Sequence, residues 1–314
     1  MRGMAAEIVN VDNFVRAETE RMFAALQQQA GGVNVLLHHR EPARLDDQPV
    51  IRQNRDTLYS SAIVDISAGA TLTVPDSGGR YLSVMIVNQD HYINRVFHEP
   101  GQHALTVEEF DTEYVLVAAR TLVDPNDPDD VAIVNAVQDL FVLEAGAARP
   151  FVPPEYDRAS FDETREALLV LNRGVGGTWK MFGRREDVDP IRHLIGTGSG
   201  WGGLPESEAF YVMGTPGLPV GRYSLNLADV PVDAFWSISV YNEAGYFEPH
   251  GAGRVSVNSV TADRNDDGSI TVRFGDGDEP NTLGIMPGWN YAVRMYQPRP
   301  EVLDGSWTFP SLTA

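Results

Sequence analysis

The chain has 314 residues, no cysteine and a formal charge of −20 at pH 7. Without cysteine there is no disulfide, no thiolate nucleophile and no Cys-ligated zinc or iron–sulfur cluster. So acidic a chain also lacks the excess of Lys and Arg from which nucleic-acid binding starts.

A chain of this length exceeds what one hydrophobic core usually fills, so two domains are expected. Lys180, in GGTWKMFG, is the one lysine against 23 arginines, so Schiff-base chemistry has a single candidate, and a surface lysine is the simpler reading. No Gly-Lys-Ser/Thr occurs, which excludes a P-loop. No apolar run reaches the roughly 18 residues of a membrane span, and MRGMAAEIVNVDNF lacks the apolar stretch of a secretory signal. The expectation is a cytoplasmic protein as written, with a secreted or periplasmic mature form as the alternative. No membrane or nucleic-acid partner is expected. Several apolar, aromatic strands are more than a pair of small sandwiches normally hides, which points to a homo-oligomer.

In chain order, Asp12 is placed to cap a helix through NFVRAETERMFAALQQQ. Its apolar Phe14, Val15, Met22, Phe23 and Leu26 fall roughly at helical spacing, and Gly31-Gly32 stops it. From about residue 57 the period shortens. TLYSSAIVDI, TLTVP, RYLSVMIVN and EYVLVAARTLV are short, β-branched and separated by turn clusters such as PDSGG, which predicts an antiparallel meander. The helical period returns after DPNDPDD in VAIVNAVQDLFVLEA; RPFVPPEYD breaks it. A second helix is predicted from Ser160, with Glu163 completing a capping box. Glycine-rich loops follow to Gly203, and strands resume in RYSLNL, AFWSISVYN, RVSVNSVT, SITVRFG and NYAVRMY.

The lack of βαβα alternation argues against a parallel Rossmann-type sheet. The expected fold is mainly β (α+β), with two antiparallel domains resembling β-sandwiches or jelly rolls. Helices are expected at residues 12–30 and 128–173. The expected segments are an N-terminal helix (1–34), a first β domain (35–125), a helical, glycine-rich connection (126–204) and a second β domain (205–314).

Two short motifs fail on context. GSGWGG at Gly198 to Gly203 matches G-x-G-x-x-G, but Pro205 follows and no helix is predicted to open there. DRNDDG at Asp263 to Gly268 copies half of a calcium loop, but the twelfth position would be Phe274, so a hairpin turn is expected. The serine-hydrolase elbow G-x-S-x-G is absent.

Candidate site residues come from two polar segments at strand ends. QNRDTLYSS supplies Arg55, Asp56 and Tyr59; NQDHYINR supplies Asn88, Asp90, His91 and Arg95. If they meet at one end of a sheet, Asp56, Asp90 and His91 are the acid–base groups. Arg55 and Arg95 would then hold an anion, and Tyr59 and Tyr241 would position substrate. In an extended strand Asn88 and Asp90 would share one face, with His91 on the other. Structural roles for these residues, as turn caps, ion pairs or solvated side chains, are the competing reading. The alternation of Trp236 with Ser237 and Ser239 gives one small polar strand face, so Trp201, Trp236 and Tyr241 are candidates for a ligand groove. No cofactor is expected; a divalent metal held by the histidines of the first third of the chain is the alternative.

Six stretches carry a family resemblance: QNRDTLYSSAIVDISAG, GGRYLSVMIVNQDHYI, AARTLVDPNDP, VDPIRHLIG, VPVDAFWSISVYNEAGYFEP and YQPRPEVLDGSWTFP. They are similar to a bacterial pair of domains of unknown function, numbered twelve-fifty-four (about residues 35–125) and twelve-fourteen (about residues 205–305). The resemblance implies a sandwich-like β domain at each end. Relatives are often labelled carboxylesterase, a label at odds with the missing elbow. They often carry two cysteines where this chain reads GDGDEPNTLGIMPGWNY, so a disulfide there is absent.

Two functional expectations follow. One is a hydrolase or lyase acting on a small or sugar-like molecule in a cleft between the β domains. The other is a non-catalytic carbohydrate or small-ligand binding module.

Overall fold

A computed structural model describes residues 6–48, 50–249 and 254–314. The chain divides into two compact units. The first comprises residues 6–40, 59–122 and 132–205; the second comprises 41–58, 123–131 and 206–314.

The first unit is a β-sandwich accompanied by helices. Its elements begin with α1 (Phe14–Ala30), β1 (Leu37–His38), β2 (Thr57–Asp65), β3 (Ala70–Val74), β4 (Leu82–Asn88) and β5 (Ile93–Phe97). They continue with β6 (Gly101–Leu105), α2 (Val107–Phe110), β7 (Tyr114–Leu122), α3 (Pro128–Gln138), β8 (Val142–Ala145), α4 (Arg158–Asn172) and α5 (Pro190–Gly200). One sheet has the order β1-β2-β7-β4-β5 and the other β6-β3-β8. Between them lies a core that includes Val64, Leu72, Val84, Ile86, Phe110 and Val117. β3, the central strand of its sheet, alternates as a strand with one covered face should, with Ala70, Leu72 and Val74 buried and Thr71 and Thr73 less so. β4 is buried along its whole length, so both faces of this sheet are covered at its centre.

The predicted meander is corrected. β3, which follows β2 in sequence, lies in the other sheet, and β7 fills the place between β2 and β4. β7 is antiparallel to β4, with Leu82 opposite Thr121 and Asn88 opposite Val115. The end of β2 meets the start of β7 through the Ile66 N–H and the Glu113 carbonyl. β2 and β4 therefore run the same way. Within the first unit, Tyr59 of β2 therefore lies at the same end of the sheet as the start of β4, away from Asn88.

The helices also depart from the sequence reading in detail. α1 begins at Phe14 after Asn13, and Gly31 closes it in the left-handed region at φ 83°. α4 begins two residues earlier than predicted: Asp157 is the cap, its carboxylate accepting the Ser160 N–H, while Ser160 Oγ accepts the Val9 N–H. α5 was expected to be loop. Asp189 caps it by accepting the N–H groups of Ile191 and Arg192, and Pro190 occupies its first turn. The glycines of GSGWGG thus end a helix instead of opening one, the reverse of what a phosphate-binding turn needs.

The second unit contains β9 (Ala209–Gly214), β10 (Tyr223–Leu227), β11 (Trp236–Tyr241), β12 (Ser256–Asn258), β13 (Ile270–Phe274), β14 (Thr282–Leu283), β15 (Asn290–Tyr296) and α6 (Pro300–Leu303). Its sheets run β12-β11-β15-β9 and β10-β13-β14, and a core of Leu225, Trp236, Ile238, Val272, Phe274, Trp289 and Val293 joins them. Among the described residues its strand pairs are antiparallel except β13 with β14. DRNDDG does turn the chain, but β12 and β13 belong to different sheets, so it is a crossing between layers and not a hairpin.

Candidate functional site

β11 presents two unlike faces. Trp236, Ile238 and Val240 enter the apolar core, which leaves Ser237, Ser239 and Tyr241 on the opposite side, all buried. Register places Arg294 of β15 and Asn258 of β12 on either side of Ser237. An arginine inside the apolar strand NYAVRMY needs partners, because its charge cannot stay buried unpaired. It finds them in the segment before β2. Arg294 Nη2 donates to the Arg52 carbonyl (2.8 Å), the Gln53 carbonyl (3.2 Å) and the Tyr241 hydroxyl (2.8 Å), while Nη1 donates to Ser239 Oγ (3.1 Å).

This arrangement fixes Asp56. Its N–H donates to Asn54 Oδ1 at 2.9 Å, and its carbonyl accepts the Val123 N–H. Asn54 is itself held by Thr57 Oγ1 and the Tyr296 hydroxyl. The Asp56 carboxyl is fully buried. The Ser237 hydroxyl and the Asn258 amide face it closely enough to favour its charge, yet neither carboxyl oxygen takes part in a well-formed hydrogen bond among the described residues. Ser237 Oγ likewise lacks a well-formed hydrogen bond among the described residues. Burial pushes the Asp56 carboxyl above its ordinary range, against the opposing pull of Arg294, Ser237, Asn258 and Arg55. Burial works against the Arg294 charge too, but Tyr241, Tyr296 and Asp56 more than offset it, and its pKa is raised.

His91 lies in the first unit, at the opposite end of the sheet from Tyr59. It is not on an extended strand: Asn88 Oδ1 accepts the N–H groups of Asp90 and Tyr92, and His91 sits in the left-handed region at φ 61°. Its imidazole is fully buried and stacked between His193 and Trp201, with ring centroids 5.4 Å away on each side. Nε2 accepts the Gly202 N–H at 3.0 Å. Thr197 Oγ1 gives its own proton to the His193 carbonyl, so at 2.8 Å it accepts from His91 Nδ1–H. Burial first, and His193 second, hold the His91 pKa well below its ordinary value. A neutral ring with both nitrogens engaged has no lone pair left for a substrate proton, which removes His91 from the acid–base role.

The remaining candidates separate in the same way. The Asp90 carboxylate takes Arg16 Nη1 at 2.8 Å, and Arg95 pairs with Glu109 at 2.7 Å. Asn88 Nδ2 donates to the Phe110 carbonyl. Arg55 donates to the Ala43 carbonyl, and Arg120 lies over the Tyr59 ring at 5.6 Å. Trp236 faces the apolar core, and Trp201 stacks on His91, so neither offers a binding face. Of the residues singled out from sequence, the structure brings Asp56 and Tyr241 to one cluster. It adds Arg294, Ser237 and Asn258, which sequence reasoning missed as site residues. Among the described residues no three His, Asp or Glu side chains gather as a metal site. Among the described residues no helix is long and apolar enough to cross a membrane.

Comparison with known proteins agrees with this architecture. Residues 33–104 match the family described as protein of unknown function (DUF1254), and residues 214–300 match protein of unknown function (DUF1214). No curated protein matches the sequence. Among solved structures, a protein of Vibrio parahaemolyticus is similar at TM-score 0.75 and 17% identity, over 96% of this chain and 97% of that one. An uncharacterized protein from Burkholderia cenocepacia is similar at TM-score 0.50 and 13% identity, over 92% and 86%. At such identities the likeness is one of fold. The chain therefore has a paired architecture of two domains of unknown function, the first in its N-terminal third and the second near its C-terminus.

Proposed function

We propose that the second unit carries an acid–base site centred on Asp56, and that the protein is a hydrolase or lyase acting on a small polar or sugar-like molecule. The observation that carries this reading is the Asp56 carboxyl: fully buried, raised in pKa, and faced by Ser237 and Asn258 without a well-formed hydrogen bond to either oxygen. Buried carboxyls in purely structural roles are normally hydrogen-bonded, and a carboxyl tuned upward is suited to give and take a proton near neutral pH. Ser237, facing it, is the natural proton partner, and the Arg294–Tyr241 pair fixes the segment that delivers Asp56. Chromogenic esters, glycosides and lyase substrates offered to the wild type and to Asp56→Asn test this. A drop of about 10²–10⁴-fold is expected in the variant while it stays folded at the assay temperature. Full turnover in folded Asp56→Asn sinks the proposal.

A binding module is the second reading, favoured by a groove in the same unit. It encloses about 210 Å³ and is lined by Arg222, Tyr223, Arg273, Phe274, Glu279 and Thr282, among others. Saturable binding of a small ligand without turnover, lost in Arg273→Gln, supports that reading over the first.

A further inference from the structure

We propose that His91 is an acid-operated latch, which holds the end of α5 and the Trp201 ring against the turn between β4 and β5. The latch is a chain of hydrogen bonds with one direction. The Gly202 N–H donates to His91 Nε2 (3.0 Å), His91 Nδ1–H donates to Thr197 Oγ1 (2.8 Å), and Thr197 Oγ1–H donates to the His193 carbonyl (2.8 Å). A proton added at Nε2 would set one N–H against another, so the contact to Gly202 must open. Nothing else in the chain of bonds can reverse, because a backbone N–H only donates and a carbonyl only accepts.

The surroundings offer a charged His91 no help. From α5 it meets the His193 ring and Thr197; beyond α5 it meets Trp201 and Gly202, and beside them the edge of Phe182 at 5.8 Å. His193 turns Nδ1 to the Met181 carbonyl (2.8 Å) and Nε2 to the Asp90 carbonyl (3.2 Å). The carboxylates nearby are engaged elsewhere: Asp90 with Arg16 of α1, and at 3.9 Å with Arg185; Glu20 of α1 with Arg16, Gln89 and the Tyr156 hydroxyl. Arg120 of β7 holds the Gly202 carbonyl at 3.0 Å, adding a positive charge at the peptide that follows the one donating to His91. The backbone is poised as well, since a non-glycine residue at φ 61° is uncommon and costs free energy that its surroundings must offset. The depressed His91 pKa, from burial and then His193, agrees with this geometry.

Since the folded His91 pKa lies below the unfolded value of about 6.5, the latch is fully closed above that pH and weakens as pH falls below it. Its opening constant is expected to rise by up to about tenfold per pH unit. The test is hydrogen exchange of the Gly202 amide between pH 8 and 5, corrected for intrinsic rate, beside ring ¹⁵N shifts of His91 in the same protein. The expected result is the Nδ1–H tautomer at pH 7.5, with Gly202 protection falling below pH 6.5 while Val84 in β4 keeps its own. In His91→Gln, which donates and accepts but does not titrate, Gly202 protection should be flat with pH. The proposal is overturned by an Nε2–H tautomer, by Gly202 protection constant to pH 5, by loss of Gly202 and Val84 protection together, or by an unchanged pH response in His91→Gln. The ring shifts decide alone where that variant does not fold.

Discussion

Arg294 and Tyr241 converge on one carbonyl, that of Gln53, from 3.2 and 2.8 Å, and donate from strands that are neighbours in the sheet. The segment leading to Asp56 is thereby tied to a polar strand face by a charged and a neutral donor. Replacing Arg294 by Met leaves the Arg52 carbonyl without this partner and removes the charge opposite Asp56. A loss of about 3 kcal/mol or more is expected. Tyr241→Phe keeps the ring and the Arg294 bond to Gln53, and should cost about 1 kcal/mol. Urea titration of the two variants measures both, and equal costs would contradict the arrangement.

Asp56 sets a pH dependence with a definite sign. Its folded pKa is raised, so its contribution to stability is present below the unfolded value of about 3.9 and is lost as pH rises through the folded one. Asp56→Asn should remove that decline, so that the stability difference between variant and wild type moves in favour of the variant from pH 4 to pH 8. Thermal melts across this range would show it. A difference that moves the other way would mean that the charged form is the one the fold prefers.

Asp65 behaves oppositely. Its buried carboxylate accepts the Arg149 backbone N–H and guanidinium at 2.8–3.0 Å and the Ser67 hydroxyl at 2.6 Å. Burial alone would raise its pKa, but these bonds outweigh it and bring the value far down. Its contribution is therefore present above pH 4 and lost as pH falls below it. Asp65→Ala is expected to cost about 3 kcal/mol at pH 7 and markedly less at pH 2. A cost independent of pH in guanidinium titrations would refute the assignment.

Gly203 marks a close approach beside the His91 stack. A Cβ there would overlap the ring of Phe182, which is 7% exposed and has little room to move. Gly203→Ala should cost about 2 kcal/mol, the typical penalty of overpacking. It should also speed Gly202 exchange, whereas Gly202→Ala, strained by its φ of 77° but with open space at Cβ, leaves the Phe182 ring in place.

Much of the fold is written locally in the sequence. Alternating β-branched residues, the turn clusters and the Gly31 stop fix strands and helices within a few residues, because each depends on neighbours in sequence. α5 was missed, although Asp189-Pro190 is a helix start, because the glycines beyond it obscured the signal. Strand order was not legible. Whether β3 pairs with β2 or crosses to the second sheet depends on which apolar faces meet, and that choice put β7 between β2 and β4 and Tyr59 of β2 at the far end from His91. The site followed the same rule. Sequence gave the polar alternation of β11 and the carboxyl of Asp56, but only the register of β11, β12 and β15 set Ser237, Asn258 and Arg294 together on one buried face. The chemistry of His91 was likewise decided in three dimensions, where residues about a hundred positions away took both of its nitrogens.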